Sequence, residues 1–286
     1  MPAEEPQKRK GLVRRAFGAL GRIIPRRKRI EPWSPTEMHD LLKELKSSRP
    51  IRRWTAAMEL GHTKDARAVP HLIELLHDPA WEVREHTVNA LGEIGHPSAV
   101  PHLIALLQED LFTSVRFHAA SALGKIKDPS AIPALVDTLR DPLARAELRW
   151  NAAEALGEIG HEKIVPHLVK ALEDSNTYVR GRAAVALGRI GHEAAIPHLI
   201  KMLEDPASSE TLNAEAALVT LGQTLQKKKA GSQEAKALQL VAEHFQPKET
   251  ASVVRQAYRG ALAGKVTKAN ARLFIKQLRA VKGNVK

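Results

Sequence analysis

Apolar positions in the middle of this chain recur at helical spacing, and the helical blocks themselves recur. The first block is anchored on a proline: VPHLIELL at Pro70, VPHLIALL at Pro101, IPALVDTL at Pro133, VPHLVKAL at Pro166 and IPHLIKML at Pro197. Successive prolines are 31, 32, 33 and 31 residues apart. A second block follows each and closes on Leu-Gly, at Leu91-Gly92, Leu123-Gly124, Leu156-Gly157 and Leu187-Gly188. Divergent copies end at Leu60-Gly61 and Leu221-Gly222. Two helical patterns per period predict stacked helix pairs, because one pair alone cannot bury its apolar face.

The spelling of one period predicts its local structure. In HPSAVPHLIALLQED, Ser98 is the expected N-cap, and Pro101 falls in the first turn, where a missing N–H costs nothing. Val100, Leu103, Ile104 and Leu107 then form a buried stripe. In the second helix, SVRFHAASALGKI, the stripe is Val115, Ala119, Ala122, Leu123 and Ile126. Gly124 costs about 1 kcal/mol of helix propensity against Ala, which predicts a tight helix crossing. Gly95, Gly160 and Gly191 stand where a left-handed C-cap ends the helix.

These units resemble HEAT repeats, particularly the subclass first noticed in phycobilisome lyases, over residues 36–222. The resemblance implies an all-α fold of the α-solenoid class, a right-handed superhelix of helical hairpins. It also implies a structural ladder in which an Asp closes the first helix and an Arg opens the second. The pairs are Asp78 with Arg84, Asp110 with Arg116, Asp141 with Arg149, and Asp174 with Arg180. A last unit keeps Asp205 but has Ala214 in the arginine column, as a degenerate terminal copy does.

The residue after that arginine reads Trp54, Glu85, Phe117, Trp150 and Gly181 through successive units. The next reads Thr55, His86, His118, Asn151 and Arg182. Both columns fall away from the apolar stripe and are expected to face solvent or a partner. One family of this class, deoxyhypusine hydroxylase, builds a di-iron site from His-Glu pairs in these columns. Here the pair occurs once, as Glu85-His86, in reversed order, and a metal needs ligands converging from several repeats. No metal, cofactor or catalytic residue is therefore expected. His71, His102, His167 and His198 follow the repeat proline, while His62, His96, His161 and His192 border the end of a unit. Recurrence at fixed places predicts a shared structural job, such as loop hydrogen bonding.

Trp54, Phe117 and Trp150 share one column, and Tyr178 stands beside it. Large exposed aromatics mark binding hot spots and also accept planar groups; the alternative is packing between repeats. The candidate partner-binding face comprises Trp54, Glu85, His86, Phe117, His118, Trp150, Glu154, Tyr178 and Arg182. Glu85, Glu154 and Glu158 on the same helices favour a basic or neutral protein partner over phosphate.

Charge changes the picture once it is partitioned. The net +12 combines +7 over residues 1–31, −6 over 32–222 and +11 over 223–286, so the basic character belongs to the two ends. This division also gives the expected organisation: an arm over 1–31, about six repeats over 32–222, and a helical module over 223–286. In GLVRRAFGALGRIIP, Leu12, Val13, Ala16, Phe17, Leu20, Ile23 and Ile24 occupy one helical arc. Arg14, Arg15 and Arg22 lie opposite, and Pro25 stops the helix before Arg26, Arg27, Lys28 and Arg29. Such a segment fits an anionic membrane surface or a groove on a partner. A transit peptide, weakened by Glu4 and Glu5, and a tail without a role are the alternatives. Ser34, Pro35 and Glu37 then read as a capping box opening the first repeat. After the QKKKAGSQ linker, VVRQAYRGAL and ARLFIKQLRAV predict further helices whose charge suits nucleic acid, acidic lipid or an acidic protein. No base-reading motif accompanies them.

Zero Cys among 286 residues excludes disulfides, thiolate nucleophiles and Cys-ligated metal sites, and suits a reducing cytoplasm. No secretory signal pattern or bilayer-length apolar run occurs. Phosphate loops, His-Glu metalloprotease helices and nucleophile elbows are missing as well. The expected function is a non-catalytic scaffold or adaptor that holds a protein partner on the second-helix face, with the arm as tether, in the cytoplasm or at a membrane surface. The alternatives are a nucleic-acid or ribonucleoprotein backbone binder acting through the basic ends and, from the repeat resemblance, a bilin-lyase-like enzyme or chaperone of a chromophore protein.

Overall fold

The computed structural model describes residues 35–202 and, beyond them, Asn213, Ala214, Ala216, Ala217, Leu218, Thr220, Leu221 and Thr224. The expected arm, Ser34, Asp205 and the C-terminal module apart from Thr224 lie outside the described residues. The described residues form α-helices and short 3-10 turns, with no strand among them. The chain divides into two compact units, residues 1–103 and 104–286.

The first unit contains α1 (Pro35–Glu44), α2 (Pro50–Thr63), α3 (Val69–Leu75), α4 (Trp81–Ile94) and the first turn of α5 (Val100–Glu109). Helix α1 packs on α2, α3 packs on α4, and α2 packs on α4. Leu41, Leu60, Leu72, Leu76, Val83, Val88 and Leu91 are buried between them.

The second unit contains the rest of α5, α6 (Thr113–Ile126), α7 (Ile132–Arg140), α8 (Ala146–Ile159), α9 (Val165–Ala171), α10 (Thr177–Ile190) and α11 (Ile196–Met202). Helix α7 packs on α8 and α9 on α10, while α8 lies between α6 and α10. Leu123, Leu135, Leu148, Leu156, Ile164, Leu168 and Leu187 fill this core. The predicted stripes are buried apart from Ile104 and Ile126, which are half-buried.

Second helices pack on second helices through small residues. A Cβ added to Gly124 would lie 2.8 Å from Ala155 Cα, and one on Gly61 would lie 2.6 Å from Ala90 Cα. Both are closer than non-bonded carbons approach, so the tight crossing expected at Gly124 is present.

The helix ends match the expectation in part. Gly95, Gly160 and Gly191 have φ of +75°, +72° and +64° and serve as left-handed C-caps. The same cap is made by Lys64 and Lys127, at φ 55° and 60°, where a side chain makes the conformation costly. Ser98 is not the N-cap. The chain enters α5 through a 3-10 turn, Pro97–Ala99, so the capping position falls on His96, whose Nδ1 accepts from the Ser98 amide at 3.3 Å. His161 and His192 cap the turns before α9 and α11 in the same way, both at 3.2 Å, and Asp65 and Asp128 do so before α3 and α7. The loop hydrogen bonding expected of the histidines thus belongs to these three. His62 sits instead, exposed, in the last turn of α2.

Candidate partner-binding face

The Asp and Arg columns set the frame on which the candidate residues stand, and their register differs from the expected one. Asp78 accepts two hydrogen bonds not from Arg84 but from Arg53, 25 residues earlier, at 2.5 and 2.8 Å. Asp174 likewise takes two from Arg149, both at 2.9 Å. The arginine six residues on reaches the backbone instead: Arg84 Nη1 donates to the Asp78 carbonyl at 2.8 Å, and Arg180 Nη1 to the Asp174 carbonyl at 2.6 Å. A planar guanidinium meeting a carboxylate edge-on makes two charge-assisted bonds, so each pair ties the start of one second helix to the turn before the next.

The same carboxylates order those turns. Asp78, Asp110, Asp141 and Asp174 accept from the backbone amides of Ala80, Phe112, Leu143 and Asn176, at 2.8–2.9 Å. Asp141 stands five residues before the start of its second helix, against three for the other aspartates. Its would-be partner Arg116 has a buried Nε with no hydrogen-bond partner among the described residues. Hydrogen bonding to Asp78 and to Asp174 raises the basicity of Arg53 and Arg149 above the ordinary arginine value. Burial pushes the Asp174 carboxyl up, but hydrogen bonds from Arg149 and the Asn176 amide, with the charges of Arg149 and Arg180, outweigh it. The group is held below the usual carboxylate range.

On this frame the expected columns are only partly open. Trp54, Glu85, His86, Phe117, His118, Trp150 and Glu154 are half-buried, and Tyr178 and Arg182 are exposed. Thr55, Asn151 and Gly181, from the same two columns, are buried, which corrects the expectation that both face outward. The reason is local hydrogen bonding and close packing. Thr55 Oγ1 donates to the Ile51 carbonyl, Asn151 Nδ2 donates to the Phe117 carbonyl, and a Cβ on Gly181 would lie 2.6 Å from Asn213 Nδ2.

The structure brings candidate residues together in pairs. In the first unit, Trp54 on α2 and His86 on α4 stack with ring centres 4.5 Å apart at 21°. In the second, Trp150 on α8 and Tyr178 on α10 are 5.2 Å apart at 59°, and Arg182 Nη1 lies 3.2 Å from Glu154 Oε1. Phe117 meets His118, its neighbour on α6, edge to face at 5.4 Å. Glu85 lies on α4 beside His86. Leu12, Arg14, Arg15, Phe17, Leu20, Arg22, Ile24, Arg26 and Arg27 of the expected arm lie outside the described residues.

The sequence reading missed an apolar edge in the second unit. Leu111 and Leu143 are 93% and 92% exposed, and Phe112 is also exposed, all at the turns leading into α6 and α8. The available signal was a large apolar residue one or two positions after the turn aspartate, in Asp110-Leu111-Phe112 and Asp141-Pro142-Leu143. Among the described residues no group of three or more His, Asp or Glu could hold a metal ion, and no helix is long and apolar enough to cross a membrane.

Residues 38–113 and 143–219 match the family model for HEAT repeats, and residues 115–141 match that for the PBS lyase HEAT-like repeat. Among solved structures, the chain is similar to the complex of CpcE and CpcF of phycocyanin lyase from Nostoc sp. PCC7120. The identity is 23%, the TM-score 0.52, and the match covers 82% of this chain and 97% of that one. It is also similar to YibA from Escherichia coli, at 17% identity and a TM-score of 0.51, over 98% of this chain and 99% of that one. At these identities the likeness is one of fold. No curated protein sequence matches this one.

Proposed function

We infer function from one premise: this chain belongs to the HEAT-repeat family, with a repeat of the phycobilisome-lyase-like subclass. We propose that it is a non-catalytic scaffold or adaptor that holds a protein partner on the exposed parts of its second helices. Residues 32–222 supply the repeats, the basic arm over 1–31 tethers the assembly to an anionic membrane surface or a second partner, and 223–286 form a basic helical module. Repeat scaffolds of this class bury their apolar faces on one another and leave an extended surface for partners.

One observation carries the reading. Trp54 and Trp150 are only half-buried, although the residues on either side of each, Arg53 with Thr55 and Arg149 with Asn151, are hydrogen-bonded into the frame. A ring that served packing alone would be covered; these are fixed in place and left partly open. Large rigid side chains in that condition suit a hot spot, because little freedom is lost when a partner covers them.

The test is capture from lysate by the full chain, by residues 32–286 and by a Trp54/Phe117/Trp150→Ala variant, with and without nuclease. A protein partner that survives nuclease and is lost with the aromatic change is the expected result. Nuclease-sensitive capture of nucleic acid, indifferent to the aromatic change, would replace the scaffold by a backbone binder acting through the basic ends. A second reading rests on the PBS lyase HEAT-like match at 115–141 and the fold likeness to CpcE and CpcF. It has the chain acting on, or escorting, a chromophore protein. A linear tetrapyrrole whose visible spectrum changes on mixing supports that reading, and an unchanged spectrum removes it.

A further inference from the structure

We propose that Trp150, Glu154, Tyr178 and Arg182 form a receptor for an arginine side chain of the partner, a step that rests on the scaffold reading above. Trp150 and Glu154 lie one turn apart on α8, and Tyr178 and Arg182 lie one turn apart on α10. The ring pair, at 5.2 Å, and the Glu154–Arg182 pair, at 3.2 Å, therefore sit side by side, because residues four apart on a helix are surface neighbours.

Three features assign the ligand class. The rings meet at 59° and Tyr178 is 67% exposed, so ring surface is turned outward. Aromatic faces carry negative electrostatic potential, which attracts a cation and repels a carboxylate. Glu154 adds a formal negative charge one turn from Trp150, and Glu158 adds a second one turn further. The cations closest in sequence to the rings are mostly engaged: Arg149 is bonded to Asp174, Arg180 donates to the Asp174 and Ser175 carbonyls, and Arg182 meets Glu154, while Arg145 stands exposed before α8 and Arg189 three turns beyond Tyr178. Glu154 already holds one guanidinium, that of Arg182, through a single contact between groups 31% and 49% exposed. Exposed pairs of that kind contribute little, so an incoming guanidinium can replace it, stacking on a ring while donating to the same carboxylate. Arginine suits both at once, having a planar cation with forked donors, whereas lysine offers a point charge.

The receptor is also pre-organised. Arg149 is bonded to Asp174 and Asn151 to the Phe117 carbonyl, so the backbone that carries Trp150 is held on both sides, and the ring itself rests against Tyr178. The corresponding ring in the first unit is not a candidate, because the His86 stack at 21° already covers a face of Trp54.

The experiment titrates the full chain with acetyl-(Gly-Arg)4-amide, and with its Lys and Glu counterparts. It follows the indole N–H resonance of Trp150, assigned with a Trp150→Phe variant. The Arg peptide is expected to shift that resonance and to bind more tightly than the Lys peptide. Glu154→Gln should weaken it by about tenfold, and Arg182→Ala should leave it equal or tighter by removing the internal competitor. A Glu peptide that shifts the resonance and loses binding with Arg182→Ala would overturn the proposal in favour of an anion site. If no peptide moves Trp150 at millimolar concentration while Trp150→Ala still abolishes partner capture, the arginine receptor is wrong and the scaffold reading survives. If capture is also indifferent to Trp150→Ala, both fall.

Discussion

Trp54 in the first unit and Trp150 in the second occupy the same place in their repeats and are anchored alike, yet they meet different neighbours. Each follows an arginine bonded to an aspartate 25 residues on, and each precedes a buried polar side chain. Trp54 then lies flat on His86, whereas Trp150 meets Tyr178 at an angle. The neighbours come from different columns: His86 is two residues after its repeat arginine, and Tyr178 two before. The frame is therefore shared by these two repeats, and the neighbour each ring meets comes from the next second helix. Both rings stay half-buried, but the first unit lays a histidine flat on its ring and the second sets a tyrosine at an angle to it.

Breaking the common frame should have the largest effect and should not distinguish the units. Arg53→Ala and Arg149→Ala each leave a largely buried carboxylate without its cation and are expected to cost about 3 kcal/mol, measured by urea unfolding. A loss confined to one of them would mean the frames are not equivalent. The second pair also has an acid signature. Because Asp174 is held below its free value, the folded state binds its proton less readily than the unfolded chain does. Its contribution is complete above the free aspartate value, at about pH 4, and is lost as pH falls through the depressed one. Asp174→Asn should flatten that acid limb.

The rings sharpen the comparison at smaller scale. Trp54→Ala should cost about 1 kcal/mol more stability than Trp150→Ala, the worth of a well-stacked aromatic pair. Equal losses in urea unfolding would make the Trp150 corner simple packing. The smallest effect is expected at the helix ends, one in each unit. Lys64→Gly and Lys127→Gly relieve a left-handed backbone and should each stabilise by about 0.5–1 kcal/mol, read as a rise in the unfolding midpoint.

The sequence carried most of the frame. The proline period, the leucine stripes, the glycine C-caps and the crossing at Gly124 all follow from local rules, and the structure contains them. What it hid depends on distances between repeats. The six-residue spacing of Asp78 and Arg84 suggests a pair within one hairpin, but the carboxylate is reached from the preceding repeat, and a period does not state how close repeats lie. Ser98 has the better capping chemistry, yet the 3-10 turn ahead of α5 moves the position to His96. Asn151 looks like a surface polar residue until the Phe117 carbonyl is placed beside it. Leu143, in turn, is apolar and exposed because the turn it sits on has nothing packed over it within its own hairpin. In the candidate face, residue types were legible and pairings were not.

The glycine–alanine crossings have a consequence for how such a protein can change. Where Gly61 meets Ala90 or Gly124 meets Ala155, the distance between neighbouring second helices is set by main-chain atoms and a methyl group. At Gly124 the Glu158 carboxylate also comes within 2.7 Å of the added Cβ, but Trp54, Trp150 and Tyr178 are not among the atoms nearest either glycine. Substitutions among Trp54, Trp150 and Tyr178 can then change what the face displays while the repeat spacing stays as it was. A mutation at the gauge itself would disturb every contact across that crossing, whatever the face displays. Variation is cheap on one side of each of these helices and costly on the other, and in each unit small residues mark the division.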